Sequence, residues 1–218
     1  MKRILFLVTV LLAYTGVQAQ IVSSRSVGIK STKQSTETEH IWRFGLNMMN
    51  FAGDGGEDLE KKIGYNITYG FLKPIGSVGT YWGMDFGLGS RGFKVKENDF
   101  EENLIAHNVQ VSPFTFGWKY GVIGDLKVDV HFGAYASFDY TGKCKIAYDG
   151  DEESINMGDW EDDLEIDWNR YDAGLNIGFG IWYSYFNLDF NFQRGFIETA
   201  KESEAYTNNF MIRLGFAF

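Results

Sequence analysis

The sequence predicts an all-β chain, an eight-stranded antiparallel up-and-down transmembrane β-barrel. Three observations carry that expectation. The last nine residues, Phe210 to Phe218, alternate so that one side is wholly apolar, and they stop on an aromatic. Seven further segments repeat the same period of two, the spacing of a strand with one apolar face. The links between them alternate between short and long, as short periplasmic turns and long outer loops require.

Lys2 and Arg3 precede the apolar run Ile4 to Leu12, and Val17-Gln18-Ala19 offers small residues for cleavage, so residues 1–19 are expected to be a secretory signal peptide. That run is too short to span a bilayer as a helix, and no later stretch approaches the roughly 20 apolar residues a helix needs. Residues 20–39, rich in Ser, Thr and Lys, are expected to form a polar periplasmic lead-in, and 40–218 the barrel. The chain holds 26 Gly, 2 Pro and 17% aromatics, with mean hydropathy -0.21, a profile suited to strands whose two faces cancel in the average. Formal charge is -9, and losing Lys2 and Arg3 with the signal makes it -11, which argues against nucleic acid as a partner. One cysteine, Cys144, leaves no internal disulfide framework, and none follows Ala19 to carry a lipid anchor.

The first strand sets Trp42, Phe44, Leu46 and Met48 against Arg43, Gly45 and Asn47. The second opposes Ile63, Tyr65, Ile67, Tyr69 and Phe71 to Gly64, Asn66, Thr68 and Gly70. In the third, Trp82, Met84, Phe86 and Leu88 face away from Gly83, Asp85, Gly87 and Gly89. The fourth, Leu104 to Tyr120, carries Ile105, Val109 and Val111, then changes phase to Phe114, Phe116 and Trp118, which predicts a bulge at Pro113. The fifth opposes Val128 to Phe138 in even positions to Asp129, His131, Gly133, Tyr135, Ser137 and Asp139. Tyr171 to Ile181, Phe186 to Gln193 and Phe210 to Phe218 complete the set. Short links fall at Lys73 to Ser77, Gly121 to Leu126 and Trp182 to Ser184. Long ones fall at Asn50 to Lys62, Lys94 to Asn103, Tyr148 to Asp167 and Gly195 to Asn208.

A soluble lipocalin-like barrel has the same strand count but hides its apolar face. The polar face decides between them. In the central parts of the strands it contains Gly, Asn, Asp, Ser, Thr, Gln, Tyr, His and Arg with no Lys and no Glu, whereas a solvated surface is rich in both. Repeated glycines such as Gly174, Gly178 and Gly180 suit a crowded interior. Trp42, Trp82, Trp118, Trp182, Tyr183 and Tyr185 towards the short turns, and Tyr140, Tyr148 and Trp168 towards the long loops, are expected to form interfacial girdles.

Phe44-Gly45-Leu46-Asn47, Asp172-Ala173-Gly174-Leu175-Asn176-Ile177-Gly178-Phe179-Gly180 and Leu214-Gly215-Phe216-Ala217-Phe218 resemble the PorT-type outer-membrane β-barrel family over about Ile41 to Phe218. Members carry a Leu-x-Ile-Pro-like fourth strand; here Val109-Gln110-Val111-Ser112-Pro113 sets the proline one residue late. The resemblance implies an eight-stranded outer-membrane barrel. Its namesake is linked to protein secretion across the outer membrane, a role not carried over here.

Inward charges form the main candidate set: Arg43, Arg91, Arg213, Asp85, Asp129, Asp139, Asp172, Asp189 and His131. They read as a salt-bridge network filling the interior, with a gated ion path as the competing reading. Arg43, Arg213 and Asp189 should meet near the periplasmic end. His131 shares its face with Asp129 and Ser137, but six residues along a strand is about 20 Å, too far for a catalytic triad. His107 should face lipid without an acid beside it. The stretch Asp149 to Asp167 holds ten acidic residues and no Lys or Arg, yet lacks EF-hand spacing, so it reads as a solvated face with at most weak divalent-ion bridging to lipopolysaccharide phosphates. Asn66-Ile67-Thr68 reads as strand lining, and nothing marks Cys144 as reactive. No catalytic residue, metal site or cofactor is expected. The expected function is structural or interactive in a Gram-negative outer membrane, with lipids, lipopolysaccharide and envelope proteins as partners and both termini in the periplasm. An accessory barrel of an export or assembly machine is the alternative, and a lipid-modifying enzyme the third.

Overall fold

The computed structural model describes residues 37–53, 56, 59–75, 79–97, 100–148, 151–164 and 166–218. The expected signal peptide and nearly all of the lead-in lie outside the described residues, although Glu39 already begins the first strand. Period-two alternation builds β1 (Glu39–Ala52), β2 (Lys62–Pro74), β3 (Thr80–Glu97), β4 (Phe100–Ile123) and β5 (Leu126–Tyr148). A short β6 (Asp151–Asn156), a 3-10 turn (Met157–Asp159) and one helical turn, α1 (Trp160–Leu164), follow. β7 (Tyr171–Tyr183), β8 (Phe186–Glu198) and β9 (Tyr206–Ala217) complete the chain.

Eight of these strands form an antiparallel ring in chain order, with β5 passing directly to β7 and β9 returning to β1. β1 meets β9 from Ile41 opposite Ala217 to Ala52 opposite Tyr206, so the ring has no open edge. β6 stands outside it as an extension of β5 beyond the point where β7 stops.

The two faces divide as the alternation requires. Phe44, Phe132, Ile177 and Leu214 are more than half exposed on the outside, whereas Arg43, Asn47, Asp129, Asn191 and Arg213 are buried inside. An apolar surface that covers the whole waist of the molecule far exceeds the few hundred Å² a soluble monomer exposes, and lipid is the solvent it suits.

The phase change at Pro113 is a bulge: Val111 lies opposite Ala136 and Phe114 opposite Ala134. A second bulge, not foreseen, sits in β5. His107 pairs with Thr141 and Asn108 with Asp139, so Tyr140 is extra and the inward face changes from Asp139 to Gly142 and Cys144. Glycine gives the interior its room. A Cβ on Gly178 would lie 2.2 Å from His131 Nε2 and 2.8 Å from the Phe190 carbonyl oxygen.

Three sequence expectations are corrected. The stretch Lys94 to Asn103 is not a loop, because β3 runs to Glu97 and β4 restarts at Phe100. Opposed charges keep the hairpin paired above the apolar belt, with Lys94 2.8 Å from Glu101. Trp182 is not a girdle residue; it points inward at 2% exposure. Trp168 also turns from the surface, into the loop-end mouth, where its indole donates to Asp139 Oδ2 at 2.7 Å. Trp42, Trp118, Tyr183 and Tyr185 do stand exposed near the short turns.

Apolar side chains cluster as a cap at each end of the polar interior. At the end with the short turns, where β1 begins and β9 ends, Ile41, Leu72, Tyr81, Trp182 and Ala217 pack together. At the loop end, Leu104, Ala106, Cys144, Ile155, Met157 and Trp160 form one cluster and Met49, Phe51 and Ala205 another, with Phe93 and Trp168 touching both.

Candidate functional site

Every inward charge named from the sequence lies in the interior, and they separate into two groups. Nearest the termini, Arg43 Nη1 contacts Asp85 Oδ1 at 2.8 Å and Arg43 Nε donates to Asn187 Oδ1 at 3.3 Å. Arg213 binds Asp189 Oδ2 through Nε at 2.8 Å and Nη2 at 2.7 Å. His131 bridges the carboxylates: Nδ1 is 2.8 Å from Asp129 Oδ1, and Nε2 is 3.1 Å from Asn191 Nδ2 and 3.5 Å from Asp189 Oδ1. Asp129 also accepts from the Trp182 indole and, at 3.4 Å, from the Tyr81 hydroxyl. Arg43, Arg213 and Asp189 are thus brought together as expected.

Sequence reading missed Lys119. It lies on the polar face of β4, half a turn of the pleat after Trp118, and joins the group through Glu39 at 2.5 Å, with its Nζ 3.6 Å from the Trp182 ring centre. The signal was present in the Phe116-Gly117-Trp118-Lys119 alternation. Arg43, Arg213, Lys119 and His131 thus stand among Asp85, Asp189, Glu39 and Asp129 at this level.

The loop-end group is smaller. Arg91 Nε donates to Asp139 Oδ2 at 2.7 Å, its Nη2 donates to the Asn169 carbonyl, and its guanidinium carbon lies 4.9 Å from the Trp168 ring centre. Asp172 accepts the Tyr135 hydroxyl at 2.9 Å. Among the described residues one guanidinium therefore serves two carboxylates here. Each group lines a cavity of about 10 Å³, room for a single water.

Ser137 makes no contact with His131, whose partners are Asp129, Asn191 and Asp189. His107 sits on the outer face 3.1 Å from the Tyr65 hydroxyl. Asn66 lines the interior at 3% exposure.

The acidic stretch is more than a solvated face. Its charges at Asp151, Glu152, Glu153, Asp159, Glu161, Asp162 and Asp163 are exposed, but Ile155, Met157 and Trp160 are buried over the barrel mouth. The Trp160 indole donates to the Ile155 carbonyl at 3.2 Å. The apolar spacing Ile155, Met157, Trp160, Leu164, Ile166, Trp168 was visible within the charge run. No group of three or more His, Cys, Asp or Glu side chains able to hold a metal occurs among the described residues.

Cys144 lies in this cap with its thiol 3.4 Å from Glu102 Oε1. Burial, with Glu102 beside it, pushes the thiol up from 9.0 to about 12. At pH 8 the folded protein therefore holds about a thousandfold less thiolate than an ordinary cysteine. Maleimide is expected to leave the folded barrel unlabelled at pH 8 and to label it fully in denaturant, as mass spectrometry would report. Since the folded value is the higher one, the thiol favours the folded cap below pH 9, and that preference is lost as pH rises towards 12.

Residues 18–201 match the family model described as outer membrane protein beta-barrel domain. The chain belongs to this family. A search among curated proteins gives no match. The barrel is similar to solved structures at low identity. One is Ail, the attachment invasion locus protein of Yersinia pestis, in complex with the heparin analogue sucrose octasulfate: 18% identity, 84% of this chain, 99% of that one, TM-score 0.43. Another is Neisserial surface protein A, at 10% identity, 82% and 97% coverage and TM-score 0.43. A third is the N-terminal β-barrel domain of Pseudomonas aeruginosa OprF, at 12% identity, 85% and 100% coverage and TM-score 0.37.

Proposed function

We propose that this outer-membrane barrel has a structural or interaction role in the cell envelope, is closed by its own side chains, and is neither a general porin nor an enzyme. The carrying observation is the interlocked interior: paired charges at two levels, apolar caps at both ends and voids of single-water size. Eight strands leave an interior only wide enough for side chains, whereas porins use 16 or more. With residues 1–19 removed as a signal and 20–39 as a lead-in, both termini lie in the periplasm. The paired extensions β3–β4 and β5–β6 then stand outside the cell as the surface for lipopolysaccharide or envelope partners. The stretches Phe44 to Asn47, Asp172 to Gly180 and Leu214 to Phe218 support a PorT-type subgroup.

Planar-bilayer recording of the purified barrel tests the closed interior. Wild-type protein is expected to give no stable conductance steps, while Trp182→Ala, which removes the centre of the terminal-end cap, gives small transient ones. Long-lived, wide openings in the wild type would overturn the reading.

A further inference from the structure

We propose that the outward face of the loop-end sheet is a docking surface for the phosphorylated headgroup of outer-leaflet lipopolysaccharide, held by Lys143 and Lys145. This rests on the reading of the ring as an outer-membrane barrel with its short turns in the periplasm. The register orders that face into rows, in steps of two residues along β4. Leu88, Val109 and Phe138 share a row on the apolar belt. In the next, His107 pairs with Thr141, with the Tyr65 hydroxyl 3.1 Å from His107 and the extra residue Tyr140 exposed beside them. Then come Ile105, Lys143 and Asn156, and beyond these Lys94, Asn103, Lys145 and Ser154. The alternate residues Leu104, Cys144 and Ile155 face the other way, into the loop-end cap.

The height of the lysine rows fits phosphate. Amphipathic rings settle at the edge of the hydrocarbon, which puts Tyr65, His107 and Tyr140 there. Two residues advance a strand by about 6.6 Å, and a tilt of 35–45° makes that a climb of about 5 Å. Lys143 therefore starts about 5 Å above the aromatic step and Lys145 about 10 Å, spanning a headgroup layer roughly 5–8 Å thick. Both lysines are exposed, and neither forms an ion pair with a described residue. Their neighbours across the rows are Asn103, Ile105, Ser154 and Asn156, which add amide and hydroxyl donors and no negative charge. Acids on this face come one row further out. Glu101 is taken by Lys94 at 2.8 Å and Lys96 at 4.0 Å, and Glu152 lies opposite Ala147. Lys62 adds a further cation: its ammonium donates to Asn103 Oδ1 and, at 2.7 Å, to the Leu104 carbonyl oxygen, both neutral. A chain of formal charge -9 thus sorts its exterior by height, with cations next to the belt and acids at the hairpin tip. Unpaired ammonium groups beside amide and hydroxyl donors are what a phosphate monoester accepts from, and the belt below continues the surface for the acyl chains.

The test places the full-length barrel in nanodiscs of phosphatidylcholine, with or without lipid A carrying two phosphates, and follows amine labelling of each lysine by mass spectrometry. With lipid A tenfold over half-occupancy, Lys143 and Lys145 are expected to react roughly tenfold more slowly, and Lys127 at the opposite end at an unchanged rate. Lys143→Gln combined with Lys145→Gln alters only exposed side chains, so the barrel folds. Its affinity for lipid A should fall about thirtyfold, as the loss of two basic contacts at an anionic surface implies, while Lys127→Gln keeps the wild-type affinity. Equal labelling in the two discs would overturn the site, and so would an unchanged affinity in the double variant. Equal protection by inorganic phosphate in phosphatidylcholine discs would overturn it too, by making the lysines a site for soluble anions. Entry into the discs is read separately. A barrel that enters both but ignores lipid A loses the headgroup site and keeps the membrane reading, whereas a chain that stays outside both overturns the two together.

Discussion

Asp189→Asn is expected to destabilise the barrel by about 3–5 kcal/mol, the penalty for leaving a buried charge without its partner. Asp189 is 1% exposed and takes both Arg213 contacts while standing 3.5 Å from His131 Nε2. An asparagine keeps the shape but not the charge, so Arg213 remains desolvated without its counter-charge. Urea unfolding in lipid vesicles, followed by tryptophan fluorescence, gives the number. Arg213→Met combined with Asp189→Leu should recover much of the loss, since apolar packing in place of a whole ion pair is often neutral. A single-variant change below about 1 kcal/mol would mean that the pair is not an interlocked one.

Trp160→Ala should act on the cap and spare the ring. The residue is 1% exposed, meets Trp168 edge-on at 5.6 Å between ring centres and bonds the Ile155 carbonyl. Truncating a buried tryptophan costs about 3–5 kcal/mol. Because β6 and α1 lie outside the closed ring, that cost falls on local opening. A glutamate-specific protease should then cut at Glu152, Glu153 or Glu161 roughly a hundredfold faster, each 1.4 kcal/mol being a factor of ten. The global unfolding midpoint should move little. Unchanged cleavage would show that the cap does not depend on this indole.

What was legible in the sequence was which side of the wall each residue faces. Asp172 to Ile181 read correctly because lipid on one side and a tight interior on the other force a change of polarity at every step. The partners were not legible. Alternation gives the side but not the height, and Arg43 finds Asp85 two strands away through the stagger of the sheet. The cap was hidden for another reason. Seven exposed acids between Asp151 and Asp163 masked Ile155, Met157 and Trp160, whose spacing is that of a short irregular lid and not of a regular strand or helix. Trp182 misled because an indole near a turn suits a headgroup layer, whereas here Asp129 draws it inward.

The β1–β9 junction has a further consequence, for biogenesis. Phe218 exchanges backbone hydrogen bonds with His40 at 3.1 and 2.9 Å, so the last-made strand of the ring seals against the first. Until it arrives, two strand margins lie bare in hydrocarbon, where each unmet peptide group is penalised by several kcal/mol. Insertion must therefore be concerted, and a nascent chain cut short of β9 is headed for proteolysis, not for a smaller version of the same protein.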